Sequence, residues 1–255
     1  MTTLLLQNLG VLLFLLFAGL ALAIGRTMRG APPFHRAAWQ LVGIAFAVFA
    51  LNMTVHAVFG TVAYVRGAES RTLADYLAWN AVFNHSRTVG LLGFCVALTG
   101  LMLTRGERPG PRFPWGAGIA VGGGMLVGAL IGWREPSFTA LRHYAAIAQW
   151  DVVLLLLLLG VLFAGVLSSR VDRLLWFVLS IYAFSVALNV LWFAAFSRVD
   201  TPGQWAPRPW EIQLYRVVLT SLMVLLAAYR LRLARRGKPV LGLAERPEPR
   251  MRLVG

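Results

Sequence analysis

Residues 36–60, RAAWQLVGIAFAVFALNMTVHAVFG, align without a gap on residues 173–197, RLLWFVLSIYAFSVALNVLWFAAFS. Identities fall at Arg36/Arg173, Trp39/Trp176, Ile44/Ile181, Ala50/Ala187, Leu51/Leu188, Asn52/Asn189, Ala57/Ala194 and Phe59/Phe196. Two apolar helices share some letters by composition alone, but a common Arg, Trp and Asn at one offset is a harder coincidence. A helix of this length, rising ~1.5 Å per residue, crosses the ~30 Å hydrocarbon core of a bilayer. The pair therefore predicts two copies of one membrane-crossing helix.

The helices that follow each copy continue the correspondence. Arg87 stands near the outer start of a third apolar segment and Arg216 near that of a seventh, and TRGERP at 104–109 answers ARRGKP at 234–239. Seven apolar segments are expected in all, near 4–25, 38–62, 80–104, 114–133, 148–168, 173–196 and 211–234. The predicted fold is an all-α polytopic membrane protein on a 3+1+3 plan. A three-helix repeat over 1–113 and a linker helix over 114–134 precede a second three-helix repeat over 135–235 and a basic, disordered tail over 236–255. Because one helix intervenes, the repeats enter the membrane in the same direction, an arrangement found in some transporters. The linker carries Gly124, Gly128 and Gly132 at every fourth position, the small-xxx-small spacing that lets helix backbones approach.

Composition agrees with this plan. Of 255 residues 58% are hydrophobic and only 13% charged, which excludes an ordinary soluble domain, where about a quarter of residues are charged. The net charge of +14 would suggest nucleic acid, but no nucleic-acid partner is expected, because the cations punctuate bilayer-length apolar runs. Sixteen of the 24 basic residues fall in the connections around Arg26–Arg36, Arg105–Arg112 and Arg170–Arg173 and in the tail from Arg230. By the positive-inside rule these face the cytoplasm, so the N-terminus is expected outside and the chain in the cell (inner) membrane. Anionic lipid at the cytoplasmic face is the expected partner of the tail. Residues 4–25, with no basic residue before them, read as a retained first helix rather than a signal peptide. Tryptophans near span ends, among them Trp39, Trp115 and Trp176, read as an interfacial belt, and Cys95 as a small buried hydrophobe.

In topology, over all seven spans, the chain resembles the sugar transporters of the SWEET family, the PQ-loop proteins and the vitamin transporters of the nicotinamide riboside type. It departs from the PQ-loop proteins in having Gln7 and Gln149 without a neighbouring proline. The stretch YAFSVALNVLWFAAF, 182–196, is similar to a segment of the tryptophan-rich sensory proteins. Seven spans also resemble microbial rhodopsins, which hold retinal on a lysine of the last helix; here the only lysine is Lys238, in the tail.

Ionisable and amide side chains inside a membrane are costly enough to count as functional candidates. Asn52 and His56 share a face of the second helix. Asn80, Asn84 and Arg87 stripe the third, Asp151 begins the fifth, Tyr182, Ser185 and Asn189 stripe the sixth, and Gln213, Arg216 and Thr220 stripe the seventh. These converge on an outward-facing polar cavity, with Asn52, His56, Asn80, Asn84, Arg87, Asp151, Asn189 and Arg216 as candidate ligand-binding residues. Asn52 and Asn189 could equally hydrogen-bond between helices, and Arg87 and Arg216 could snorkel to headgroups. The cytoplasmic half reads as nearly bare of polar groups.

Three functions fit these residues. The leading expectation is binding or transport of a small, anionic solute, with no cofactor. A second is a redox or assembly protein in which His56 and His85 hold haem b or a metal, although neither HxxxH, HExxH nor CxxC is present. A third is a seven-helix sensor or accessory subunit; no soluble output domain is expected after the tail, so this requires a membrane or soluble partner protein. No catalytic fingerprint points to an enzyme.

Overall fold

The computed structural model describes residues 2–28, 33–65, 73–103, 113–134, 153, 156–160, 172–196 and 209–237. They form an all-helical fold of seven helices: α1 (Thr2–Thr27), α2 (Pro33–Val65), α3 (Leu73–Leu103), α4 (Phe113–Arg134), α5, described at 153 and 156–160, α6 (Arg173–Phe196) and α7 (Pro209–Arg235). Three stretches are long and apolar enough to cross a membrane, Leu4–Thr27, Phe34–Val58 and Gln213–Arg235, and shorter apolar helices run over Trp115–Ile131 and Arg173–Leu188. Most of the expected fifth span lies outside the described residues. Helix α2 starts at Pro33 rather than near 38, since proline's fixed φ and missing N–H suit the first helical position. Helix α7 stops at Gly237, whose φ of +64° lets its N–H cap the carbonyl of Ala234.

The surface is apolar. Leu12, Leu51, Val58, Ile119, Leu126, Phe177, Phe184, Val218 and Leu225 all point outward and are more than half exposed. In water such a surface would drive aggregation; against lipid tails it costs nothing.

Neighbouring helices meet side by side: α1 on α2 and α7, α6 on α7, α3 on α4, and α2 on both α3 and α4. Paired contacts fix their directions. Gly43 lies against Leu22 and Gly25 against Gln40, so α1 and α2 are antiparallel. Asn52 meets Ser86 and His56 meets Phe83, so α3 reverses α2. Gly124 lies against Val89 and Gly128 against His85, so α4 reverses α3. Trp39 meets Asp172 and Phe46 meets Tyr182, so α6 runs with α2, while Arg230 near the end of α7 meets Asp172 at the start of α6; α2, α4 and α6 thus run one way and α1, α3 and α7 the other.

The α3–α4 contact is made backbone to backbone. A Cβ at Gly124 would stand 2.7 Å from the carbonyl oxygen of Val89, and one at Gly128 would overlap the carbonyl of His85. Two members of the expected glycine stripe therefore form the seam; the side-chain position of Gly132 lies outside the described residues.

At mid-depth the core is aromatic. Phe46 on α2 is wholly buried and touches Phe14 and Phe17 of α1, Phe49 one turn on, and Tyr182 of α6, with ring centroids 4.8 to 5.8 Å apart. Edge-to-face pairs of this kind add about 0.5–1.5 kcal/mol each beyond burial. Tyr182, expected on a cavity stripe, belongs to this layer.

The two aligned segments share seven buried positions. Ala38, Trp39, Leu41, Val42, Ala45, Phe46 and Phe49 of α2 are buried, and so is each residue 137 further on: Leu175, Trp176, Val178, Leu179, Tyr182, Ala183 and Val186 of α6. Trp39 and Trp176 thus face the bundle interior, not a lipid belt, whereas Trp115 is 77% exposed.

Candidate functional site

Two polar groups stand on either side of the Phe46 layer. Trp39 lies about 10 Å before Phe46 along α2 and Asn52 about 9 Å after it, at 1.5 Å per residue.

On the Asn52 side, side chains from three helices come together. Asn52 Nδ2 donates to Ser86 Oγ of α3 at 3.2 Å, an interhelical bond that uses part of its hydrogen-bonding capacity. One turn further, His56 stacks on Phe83 of α3, rings 4.7 Å apart and 22° from parallel. Arg216 of α7 and Arg87 of α3 both lie within electrostatic reach of His56. Both arginines are half-buried, and Thr220, one turn from Arg216, is buried. His85 is buried on α3, two residues from Phe83 and so about 200° around the helix from the ring that His56 touches. Among the described residues no three His, Cys, Asp or Glu side chains gather in a way that could hold a metal ion.

Of the expected site residues, Asn52 and His56 sit one turn apart on α2 against α3, and Arg87 and Arg216 lie within electrostatic reach of His56. Asn80 and Asn84 lie on α3 and Asn189 on α6, with side chains outside the described residues, and Asp151 lies outside them altogether.

The second group, at the end of the bundle where α2 and α6 begin and α7 finishes, escaped the sequence reading. Asp172 caps α6: its Oδ1 accepts the backbone N–H of Leu174 at 3.0 Å, and its carbonyl accepts the first helical bond, from Trp176, at 3.1 Å. Its Oδ2 accepts the indole N–H of Trp39 at 3.0 Å and Arg230 Nε at 2.5 Å. Asp172, Trp39 and Arg230 are 0%, 0% and 2% exposed, so one carboxylate ties α2, α6 and α7 together in the interior. His35, one turn before Trp39 and also buried, feels the charges of both Asp172 and Arg230.

This half of the molecule is therefore not bare, and Arg230 is not a free topology signal but half of a buried ion pair. The available signal was a lone acid, Asp172, set among Arg170 and Arg173 immediately before an apolar run, the position of a helix cap. Its partners, 133 and 58 residues away in sequence, could not be read from it.

Comparison of the chain with family models, with curated proteins and with solved structures finds no match.

Proposed function

We propose that this chain is a seven-span protein of the cell membrane that binds or passes a small anionic solute at the polar group formed by His56, Arg87 and Arg216. The observation that carries the reading is that two arginines, on α3 and α7, lie within electrostatic reach of one histidine on α2. Two cations within reach of one histidine make a region of positive potential, which favours a negatively charged guest. Carboxylates and phosphates match the planar donor fork of arginine best.

Two parallel three-helix repeats form the scaffold of this proposal. The common burial register of α2 and α6 supports it, as do the antiparallel α2–α3 and α6–α7 pairs. The basic end of the bundle then faces the cytoplasm and the anion site opens outward.

Flux into proteoliposomes, measured over a panel of small carboxylates and phosphate, tests the function. A saturable uptake reduced at least tenfold by Arg87→Gln and by Arg216→Gln is expected. Uptake of every anion at the rate of empty liposomes, or flux indifferent to both substitutions, overturns the reading.

A further inference from the structure

The junction at Asp172 leaves hydrogen-bonding capacity unspent. Trp176 Nε1, Arg230 Nη1 and His35 Nδ1 are buried on residues 6%, 2% and 4% exposed, and none has a hydrogen-bond partner among the described residues. Buried polar groups are satisfied in the great majority of cases, so three in one cluster mark a place where something else binds.

They share that place. Trp176 stands one turn along α6 from Asp172, as Trp39 stands one turn along α2 from His35, and at the repeat offset of 137 residues His35 occupies the position of Asp172. Half of this near-symmetric arrangement is closed, by the bond from Trp39 to Asp172. In the other half neither Trp176 Nε1 nor His35 Nδ1 has a hydrogen-bond partner. Arg230 spends Nε on Asp172 and keeps Nη1 beside it.

The donor set defines the guest. An indole N–H and a guanidinium N–H can only donate, and His35 Nδ1 donates in one of its two neutral tautomers. The guest must therefore be an acceptor. Charge selects further: Asp172 is neutralised by Arg230, and Arg36, Arg173 and Arg232 stand exposed on the neighbouring helix ends. We propose that the junction binds one small monovalent anion of halide size, held by Trp176 Nε1–H, Arg230 Nη1–H and the imidazole of His35. The site uses none of His56, Arg87 or Arg216 and stands whether or not those residues bind a solute.

Bromide is the probe. In the purified full-length protein, replacing gluconate by bromide at constant ionic strength is expected to raise Tm saturably. Trp176→Phe, which removes only the indole donor, should weaken the apparent affinity at least tenfold, and Gly122→Ala, in open space on α4 and outside both polar groups, should leave it unchanged. His35→Asn serves the same purpose should Trp176→Phe not fold. In crystals grown in bromide an anomalous peak is expected beside Trp176 and Arg230. Equal Tm in the two salts, an undiminished shift in the variant, or density there without anomalous signal, which is a fixed water, overturns the proposal.

Discussion

Arg230, near the end of α7, and Asp172, the residue that caps α6, form an ion pair from which solvent is almost wholly excluded. Removing one partner of such a pair leaves the other charge buried alone, at a cost of about 3–5 kcal/mol, whereas removing both is often close to neutral. Asp172→Asn removes the charge and puts an amide NH2 where one carboxylate oxygen stood, so it also gives up either the cap on Leu174 or the acceptor shared by Trp39 and Arg230. It should destabilise the protein by about 3–5 kcal/mol, and Asp172→Asn with Arg230→Met should recover most of that. Denaturation in mixed micelles reads both.

Asn52 and Ser86 join α2 to α3 by a neutral hydrogen bond at 3.2 Å. Such bonds within membranes couple by about 0.6 kcal/mol on average. A cycle of Asn52→Ala, Ser86→Ala and the double variant should return a coupling near that size. A value several-fold larger would show that Asn52 anchors more of the bundle than this one contact.

Glycines of α4 separate by what their missing side chains face. Gly128→Ala forces a methyl onto the carbonyl of His85 and should cost about 1–3 kcal/mol through displacement of α3. Gly122→Ala has open space at the same helix and should be neutral or stabilising by up to about 1 kcal/mol. Thermal unfolding of the pair distinguishes steric from propensity effects.

Cys95, the only cysteine, is 3% exposed, so the native protein should resist impermeant maleimides in intact membranes. Single cysteines at the exposed Arg36 and Arg173 in a Cys95→Ala background should label only in inside-out vesicles. Labelling from the outside of right-side-out vesicles would reverse the orientation.

What the sequence disclosed was periodic and local. The 137-residue offset between Trp39 and Trp176 predicts the shared burial register of α2 and α6, because one hydrophobic period dictates one buried face. Gly124 and Gly128 announced the seam with α3 because close approach needs absent side chains. The Asp172 junction could not be reached this way. Counting depth from the cytoplasmic arginines treats every charge near a span end as solvated, and only folding shows that Arg230 and Asp172 solvate each other. Trp39 and Trp176 misled for the same reason: a tryptophan near a span end is equally placed for the headgroups and for the interior, and it was the acceptor at Asp172 that drew Trp39 inward.

Because Asp172 pins α2, α6 and α7 at one end, those helices cannot slide apart there without separating buried charges. Relative movement among them must then be angular, with the pin as its fulcrum. Arg216 lies 14 residues from Arg230, about 21 Å along α7, so a tilt of about 10° displaces it by about 4 Å, while the Asp172 end stays shut. A lever of that length turns a small rotation into a large displacement at Arg216 and leaves the fulcrum itself still.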